Sequence, residues 1–260
     1  MLRLPDAANG WRLRVVPNLY PALTPEDGGV HELIIDSSLH AATFGELPQH
    51  AAEDLLSAAR SRFRTLKTDE HIQYVHLFKN NGPGSGASME HPHSQLLGLP
   101  HIPVQVQLEL EGAERYFASH GSCIFCDLAV SANDSERIIS ENENAIIMAP
   151  HAPRFPFETW ILPRKHLASF ENADAQTIQA VGAALHTTLR GIETLLGRPP
   201  YNFLLHTTPF QHPATESYHW HIEILPRVAG IGGFEFGTGC YINTVSPEKA
   251  AAKLRVSLSR

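Results

Sequence analysis

The chain has 260 residues, room for one large domain or two small ones, and its 43% apolar content supplies a core and excludes disorder as the main state. Lys and Arg number 20 against 27 Asp and Glu, a formal net charge of -7, so no basic stripe marks a nucleic-acid partner and none is expected, whereas a small nucleotide is allowed. No apolar run approaches the roughly 20 residues that span a bilayer, and Met1–Trp11 carries no secretion signal, so the reading is a cytoplasmic protein without a membrane partner.

Between Pro48 and Thr68, residues Leu55, Ala59, Phe63 and Leu66 are spaced by four, four and three, the stripe of an amphipathic helix with one face turned inward. A strand follows over His71–Asn80, rich in β-branched and aromatic residues. The loop Asn80–Ser88 (NNGPGSGAS) leads into His91-Pro-His93-Ser-Gln95. Its glycines let backbone N–H groups converge as an anion nest, and with no Gly-Lys-Ser/Thr after it the loop is not a P-loop. Alternate residues of a strand share a face, so His91, His93 and Gln95 are expected to line one surface. An imidazole with one nitrogen held by a hydrogen bond presents the other lone pair near neutral pH. His93 is therefore the candidate nucleophile toward phosphorus, with Gln95 orienting a phosphoryl oxygen without adding negative charge and His91 anchoring the strand.

Cys123 and Cys126 form a C-x2-C pair, and three cysteines are too few for a disulfide framework. Ile178, Val181, Leu185, Leu189, Ile192 and Leu196 make a second helical stripe that Gly197 and the Pro199-Pro200 pair terminate. A strand at Tyr201–Thr208 follows, then His219-Trp-His221-Ile-Glu223, where the glutamate would repel a phosphate; this copy is read as a degenerate partner. A glycine-rich segment, Gly230–Asn243, precedes a helix capped at Ser246-Pro247-Glu248, and Cys240 within that segment is expected in the core.

The parallel order implies an internal duplication. Glu32 to His40 lines up with Glu158 to His166, and His40 lies 51 residues before His91 while His166 lies 53 before His219. The expected fold class is α+β: two tandem pseudo-repeats, residues 1–120 and 121–260, each a short antiparallel sheet with a helix across one face. Cys123, Cys126, His166 and His219 make a Cys2His2 set suited to tetrahedral zinc. A weaker second site would use His40 and His91; the spacing puts its cysteine counterpart immediately upstream of Met1.

This order of motifs resembles the histidine-triad superfamily and, within it, the galactose-1-phosphate uridylyltransferase family, including its ADP-glucose phosphorylase branch. The resemblance rests on Val-Val-Pro-Asn18-Leu-Tyr20-Pro-Ala-Leu, then His40, Asn80 to Gln95, the cysteine pair and Gly-Gly-Phe-Glu235-Phe-Gly, and runs from about Trp11 to Leu258. It implies a histidine-triad-like fold and a double displacement in which His93 takes a nucleoside monophosphate from a nucleotide sugar, releases sugar 1-phosphate, and passes the nucleotide to a second phosphate. It further implies that Asn18 and Tyr20 flank the base, that Asn80, Ser88 and Gln95 hold the phosphates, that Glu235 contacts sugar hydroxyls, and that the protein is a homodimer whose chains complete each other's sites. Family members carry an N-terminal segment with a Cys pair and phosphate-binding arginines, which the pattern places before this chain's start. Leu19 stands where uridylyltransferases often have an acidic residue, and Gly-Thr-Gly-Cys-Tyr-Ile-Asn resembles the phosphorylase branch. The leading expectation is uridylyl transfer to a hexose 1-phosphate; the alternatives are an ADP-sugar phosphorylase and a zinc-stabilised nucleotide-binding protein without turnover.

Overall fold

A computed structural model describes residues 2–6, 10–40, 43–134, 136–213 and 215–259; Met1 and Arg260, the outer ends of the two expected repeats, lie outside them. The first half runs Leu2–Asp6 (β1), Gly10–Pro17 (β2), Val30–Ile35 (β3), helix His50–Leu66 (α1), Tyr74–Asn81 (β4) and His93–Leu99 (β5). Helices Val104–His120 (α2) and Ile124–Asp134 (α3) follow. The second half repeats the path with Ile138–Glu141 (β6), Ala145–Met148 (β7), Thr159–Pro163 (β8), helix Ala175–Leu196 (α4), Tyr201–His206 (β9) and His221–Pro226 (β10); Gly233–Thr238 (α5) and Pro247–Leu258 (α6) end the chain.

The strands form one antiparallel sheet in the order β1-β2-β3-β5-β4-β9-β10-β8-β7-β6, so the two expected short sheets are one continuous surface joined at β4 and β9. A row of facing residues crosses the join: Leu33, Gln95, Phe78, Leu204, Glu223 and Trp160. Phe78 faces Leu204, and each has the corresponding Gln95 or Glu223 on its other side. A pseudo-two-fold axis therefore passes between them. This register makes Leu33 the equivalent of Trp160 and so corrects the alignment of Glu32 with Glu158 by one residue; because side chains alternate across a strand, a one-residue shift changes the face.

On one face α1 and α4 lie against the sheet and each other. Leu55, Ala59, Phe63 and Leu66, the stripe read from spacing, are all buried there, as are Ile178, Val181, Leu185, Leu189 and Ile192 of α4. Fully burying one such large side chain contributes about 1.5–3 kcal/mol. The Asp174 side chain caps α4 by accepting the Thr177 N–H at 2.8 Å, and Gly197, at φ +73°, closes it. A Cβ added at Gly182 would stand 2.8 Å from Glu53 Cα, so the close approach of α4 to α1 requires glycine there.

On the other face, α2 and α3 cover the second half. Val106, Leu110, Ala113 and Phe125 pack with Met148, Leu162 and Tyr218. A boundary after residue 120 divides the repeats in sequence but not in packing, since α2 precedes it and sits over the later strands. Cys240 is exposed, which corrects its expected place in the core: it follows the short α5, and its N–H bonds Thr238 Oγ1 at 3.1 Å. No helix among the described residues is long and apolar enough to cross a membrane.

Candidate active site and metal centre

His93 opens β5 on the face that α1 and α4 do not occupy, and it is 4% exposed. A cleft of about 590 Å³ adjoins it, lined in part by His40, Asn80, Gly82, Ser88 and His91. Its Nδ1 lies 2.9 Å from the His91 carbonyl oxygen, which only accepts, so Nδ1 carries the proton and Nε2 keeps its lone pair. His91 precedes the strand rather than sharing it. Its ring turns aside to donate from Nε2 to the Ser37 carbonyl at 2.9 Å, and its Nδ1 lies 3.2 Å from His40 Nδ1. The expected common face is thus reduced to His93 and Gln95, while the His91 backbone holds the His93 ring.

Gln95 Oε1 accepts from His31 Nε2 at 2.9 Å, and His31 Nδ1 accepts the Ala22 N–H at 3.0 Å. The Asn18 amide lies 3.2–3.3 Å from the same ring, so Asn18 and Gln95 are joined through a histidine absent from the expected set. Asn80 donates to the Gly86 carbonyl at 3.3 Å and accepts from Asn202 at 2.7 Å; Asn202 also reaches the Ser85 carbonyl at 2.9 Å. These amides hold the loop, in which Gly82, Gly84 and Gly86 all have φ between +79° and +88°. Ser88 lines the cleft from that loop. Tyr20 is 84% exposed and is not among the residues that line this cleft. Glu235 caps α5 instead, accepting the Gly232 N–H at 2.8 Å, a bond that holds its carboxyl below the ordinary range.

The second copy keeps the local geometry and loses the access. His221 Nδ1 donates to the His219 carbonyl at 3.0 Å, but the ring is fully buried, with Phe125 and Trp160 centroids at 4.7 and 5.0 Å and His206 stacked at 4.8 Å. Its Nε2 faces Glu109 and Glu223 at 3.6 and 3.9 Å. Glu109 accepts from His206 at 2.8 Å and from Tyr218 at 3.1 Å, and Arg154 pairs with Glu223. Burial opposes a charge on His206, yet Glu223 and Glu109 raise its pKa well above the usual histidine value. Burial likewise opposes the Glu223 carboxylate, which His206 and Arg154 nevertheless keep well below the ordinary range. His206 and Asn202 alternate with apolar neighbours along β9, a signal the sequence carries in that strand.

Cys123, Cys126, His166 and His219 do converge: one donor atom from each lies within 4.8 Å of all the others. Cys123 directly precedes α3 and Cys126 lies in its first turn, while His166 and His219 follow β8 and precede β10. Both histidines turn Nδ1 toward the Cys126 sulfur, at 3.3 and 3.5 Å. His166 donates its Nε2 proton to the Thr215 carbonyl at 3.0 Å, which leaves Nδ1 free as a ligand and fixes the ring, as in zinc sites whose outer shell orients the imidazole. A hydrogen bond from Cys126 draws the Cys123 thiol down to about 5 while the same pairing pushes the Cys126 thiol up; burial pushes His219 down to about 3, and a hydrogen bond with Cys123 raises His166. The donor set fits zinc. In the first half His40 and His91 stand together, but among the described residues no further Cys, His, Asp or Glu joins them in a ligand group.

The comparisons with known proteins accord with this arrangement. Residues 42–260 match a family model described as a domain of unknown function, DUF4921. The chain is similar to an ADP-glucose phosphorylase of Arabidopsis thaliana, 37% identical over 281 residues covering 100% of this chain and 78% of that protein. It is also similar to a galactose-1-phosphate uridylyltransferase of Thermotoga maritima, 26% identical over 90% of this chain and 76% of the other. A crystal structure of an Arabidopsis thaliana ADP-glucose phosphorylase with bound ADP-glucose superposes with a TM-score of 0.91, 35% identity, and 98% and 85% of the two chains covered. The chain therefore belongs to the DUF4921 family and, with it, to the histidine-triad-like galactose-1-phosphate uridylyltransferase family that includes the ADP-glucose phosphorylase branch.

Proposed function

We propose that this chain moves a nucleoside monophosphate between phosphate acceptors through a covalent nucleotidyl-His93, with a nucleotide sugar as donor. The observation that carries the reading is the bond from His93 Nδ1–H to the His91 carbonyl, which aims an unprotonated Nε2 at the cleft. Nε2 attacks the α-phosphorus, the P–O bond to the sugar 1-phosphate breaks, and the leaving oxygen takes the electron pair. Nδ1 keeps its proton, hydrogen-bonded to the His91 carbonyl, while the ring becomes cationic, and Gln95, held by His31, is proposed to face the phosphoryl oxygens. An acceptor phosphate oxygen then attacks the same phosphorus and displaces Nε2.

The finer assignment is an ADP-sugar phosphorylase, adenylyl donor and inorganic phosphate acceptor; its support is 37% identity to a phosphorylase along the whole chain, against 26% to a uridylyltransferase. Uridylyl transfer to a hexose 1-phosphate is the second reading, supported by the matches to uridylyltransferases. Zinc at Cys123, Cys126, His166 and His219 would tie α3 to the ends of β8 and β10, a structural contribution; His40 and His91 are proposed as a weaker second site. Since Tyr20 and Glu235 lie outside the lining of His93's cleft, their proposed substrate contacts would be made across a homodimer.

Labelling decides among these. Wild-type protein incubated with ADP-glucose or UDP-glucose carrying α-32P is expected to retain acid-labile label that His93→Ala lacks, and phosphate or hexose 1-phosphate is expected to chase it off. Adenylyl label released by phosphate identifies a phosphorylase, and uridylyl label released by hexose 1-phosphate a uridylyltransferase. Nucleotide binding without any label from either donor would defeat both readings and leave a binding protein.

A further inference from the structure

We propose that Lys79, a residue at the edge of the cleft whose side chain turns away from it into the helix layer, is a positioning residue that sets the His93 ring for attack; the inference deepens the nucleotidyl-transfer reading and rests on it. Along β4 the side chains of Val75, Leu77 and Lys79 point the same way, into the helix layer. The first two are ordinary core residues. Lys79 puts an amine-bearing side chain only 1% exposed in the same row, with its Nζ 5.0 Å from the centroid of the Phe44 ring. A charge so placed costs several kcal/mol in desolvation unless it is paired and hydrogen-bonded, so its partners account for its presence.

Nζ makes two bonds, to Asp36 Oδ2 at 2.7 Å and to the main-chain carbonyl of His93 at 2.8 Å. The β4–β5 ladder ends at Phe78 opposite Gln95; beyond it the ammonium takes up the carbonyl of the residue read as nucleophile. Asp36 completes the grip from β3's end. Its Oδ2 also accepts Ser94 Oγ at 3.2 Å, and its N–H bonds the Pro92 carbonyl at 3.2 Å. Pro92, His93 and Ser94 are thus each held by the Asp36–Lys79 pair.

Two braces act on one residue from opposite faces. On the cleft side the His91 carbonyl fixes the His93 ring through Nδ1, and on the helix side Lys79 fixes the His93 backbone. Release of the rear brace lets the peptide at 93 rotate, weakens the Nδ1 bond, and admits the Nε2-protonated tautomer, which has no lone pair toward the phosphorus. A displacement of about 1 Å at a reacting group costs on the order of 100-fold in rate.

The test compares wild type, Asp36→Asn and the double variant Asp36→Asn/Lys79→Met, which removes both charges together so that neither is left buried alone. Asp36→Asn keeps a nitrogen donor on the His93 carbonyl; the double variant does not. Expected for the double variant are unchanged zinc content, donor affinity within about threefold of wild type, His93 nucleotidylation about 10–100-fold slower by rapid quench, and a mixed His93 tautomer in 15N NMR. Asp36→Asn is expected to label within about threefold of wild type. A folded double variant with wild-type rate and tautomer would overturn the proposal, as would Asp36→Asn matching the double variant's loss. If the double variant does not fold, Asp36→Asn/Lys79→Leu, which likewise leaves no donor at the His93 carbonyl, takes its place under the same criteria. Absence of label from wild type would defeat the nucleotidyl-transfer reading instead, and the ring tautomer would still decide the role of Lys79.

Discussion

His93 and His221 occupy equivalent places in two halves related by a pseudo-two-fold axis, and each ring donates Nδ1–H to the carbonyl two residues before it, at 2.9 and 3.0 Å. Local geometry therefore does not distinguish them. What differs is the layer above: the first opens on a cleft of about 590 Å³, whereas α2 and α3 close over the second and bring Glu109 and Phe125 against it, with Tyr218, just before β10, packed beside them. Gln95 becomes Glu223 in the second half, and the carboxylate that would repel a phosphate is neutralised by Arg154 and His206. A strand motif of this kind makes a braced imidazole; whether it meets a ligand depends on what covers the sheet.

The contrast is sharpest at the histidines themselves. His93→Ala should lower covalent labelling by roughly 10⁴-fold or more with little loss of stability, as removal of a nucleophile does. His221→Ala should leave labelling within about tenfold but cost about 2–4 kcal/mol in denaturant melts, because a fully buried ring leaves a cavity. The reverse pattern would transfer the nucleophile to the second half.

The metal sites break the symmetry next. Cys126→Ser should reduce zinc affinity by at least about 100-fold and lower the melting temperature, whereas His40→Ala should leave that zinc content unchanged. Elemental analysis of the purified variants separates the two, and equal losses would contradict a four-ligand site confined to the second half.

At the facing positions Gln95 and Glu223 the expected effects are smaller and opposite in kind. Gln95→Ala should slow labelling about 100-fold, the cost of one oriented donor at a phosphoryl oxygen. Glu223→Gln should spare labelling and destabilise by about 3 kcal/mol, since it leaves Arg154 and His206 short of a buried partner.

The smallest effect concerns the seam between the halves. Glu193 of α4 accepts from Thr43 Oγ1 at 2.8 Å and from the Gly45 N–H at 3.3 Å, and burial raises its carboxyl pKa despite these bonds. A carboxyl raised in the folded state adds stability while protonated, and that contribution is lost as pH rises through the folded pKa. Glu193→Gln should therefore melt slightly higher than wild type at pH 7, with the gap closing as the pH falls through the raised folded pKa and gone below about 4.5, the unperturbed carboxyl range. A gap that widened in acid would reverse the sign assigned to this group.

Much of this molecule was readable from residue order. The stripes of α1 and α4, the cysteine pair with its two distant histidines, and His-Pro-His-Ser-Gln all depend on spacing within one element or on donor chemistry that spacing preserves. Lys79 was also legible in principle, as a charge in the inward row of Val75 and Leu77, and so was Asn202 in an alternating strand. The cap that Glu235 makes on Gly232 was not legible because it depends on how the glycine-rich segment folds, and Cys240 was misplaced because exposure follows from the path of that segment after α5.

By itself the sequence determined the α+β class, the duplication, the nucleophile candidate and the converging Cys2His2 set, because each is a matter of periodicity, repetition or chemical type. Only the tertiary structure decided that the halves share one sheet, that α2 crosses to cover the later strands, that His31 joins Gln95 on the face of His93, and that the side chains of Asp36 and Lys79 brace the His93 backbone from the other side. Those outcomes depend on which surfaces pack together across tens of residues, and no local pattern encodes the partner of a face before the chain has closed upon it.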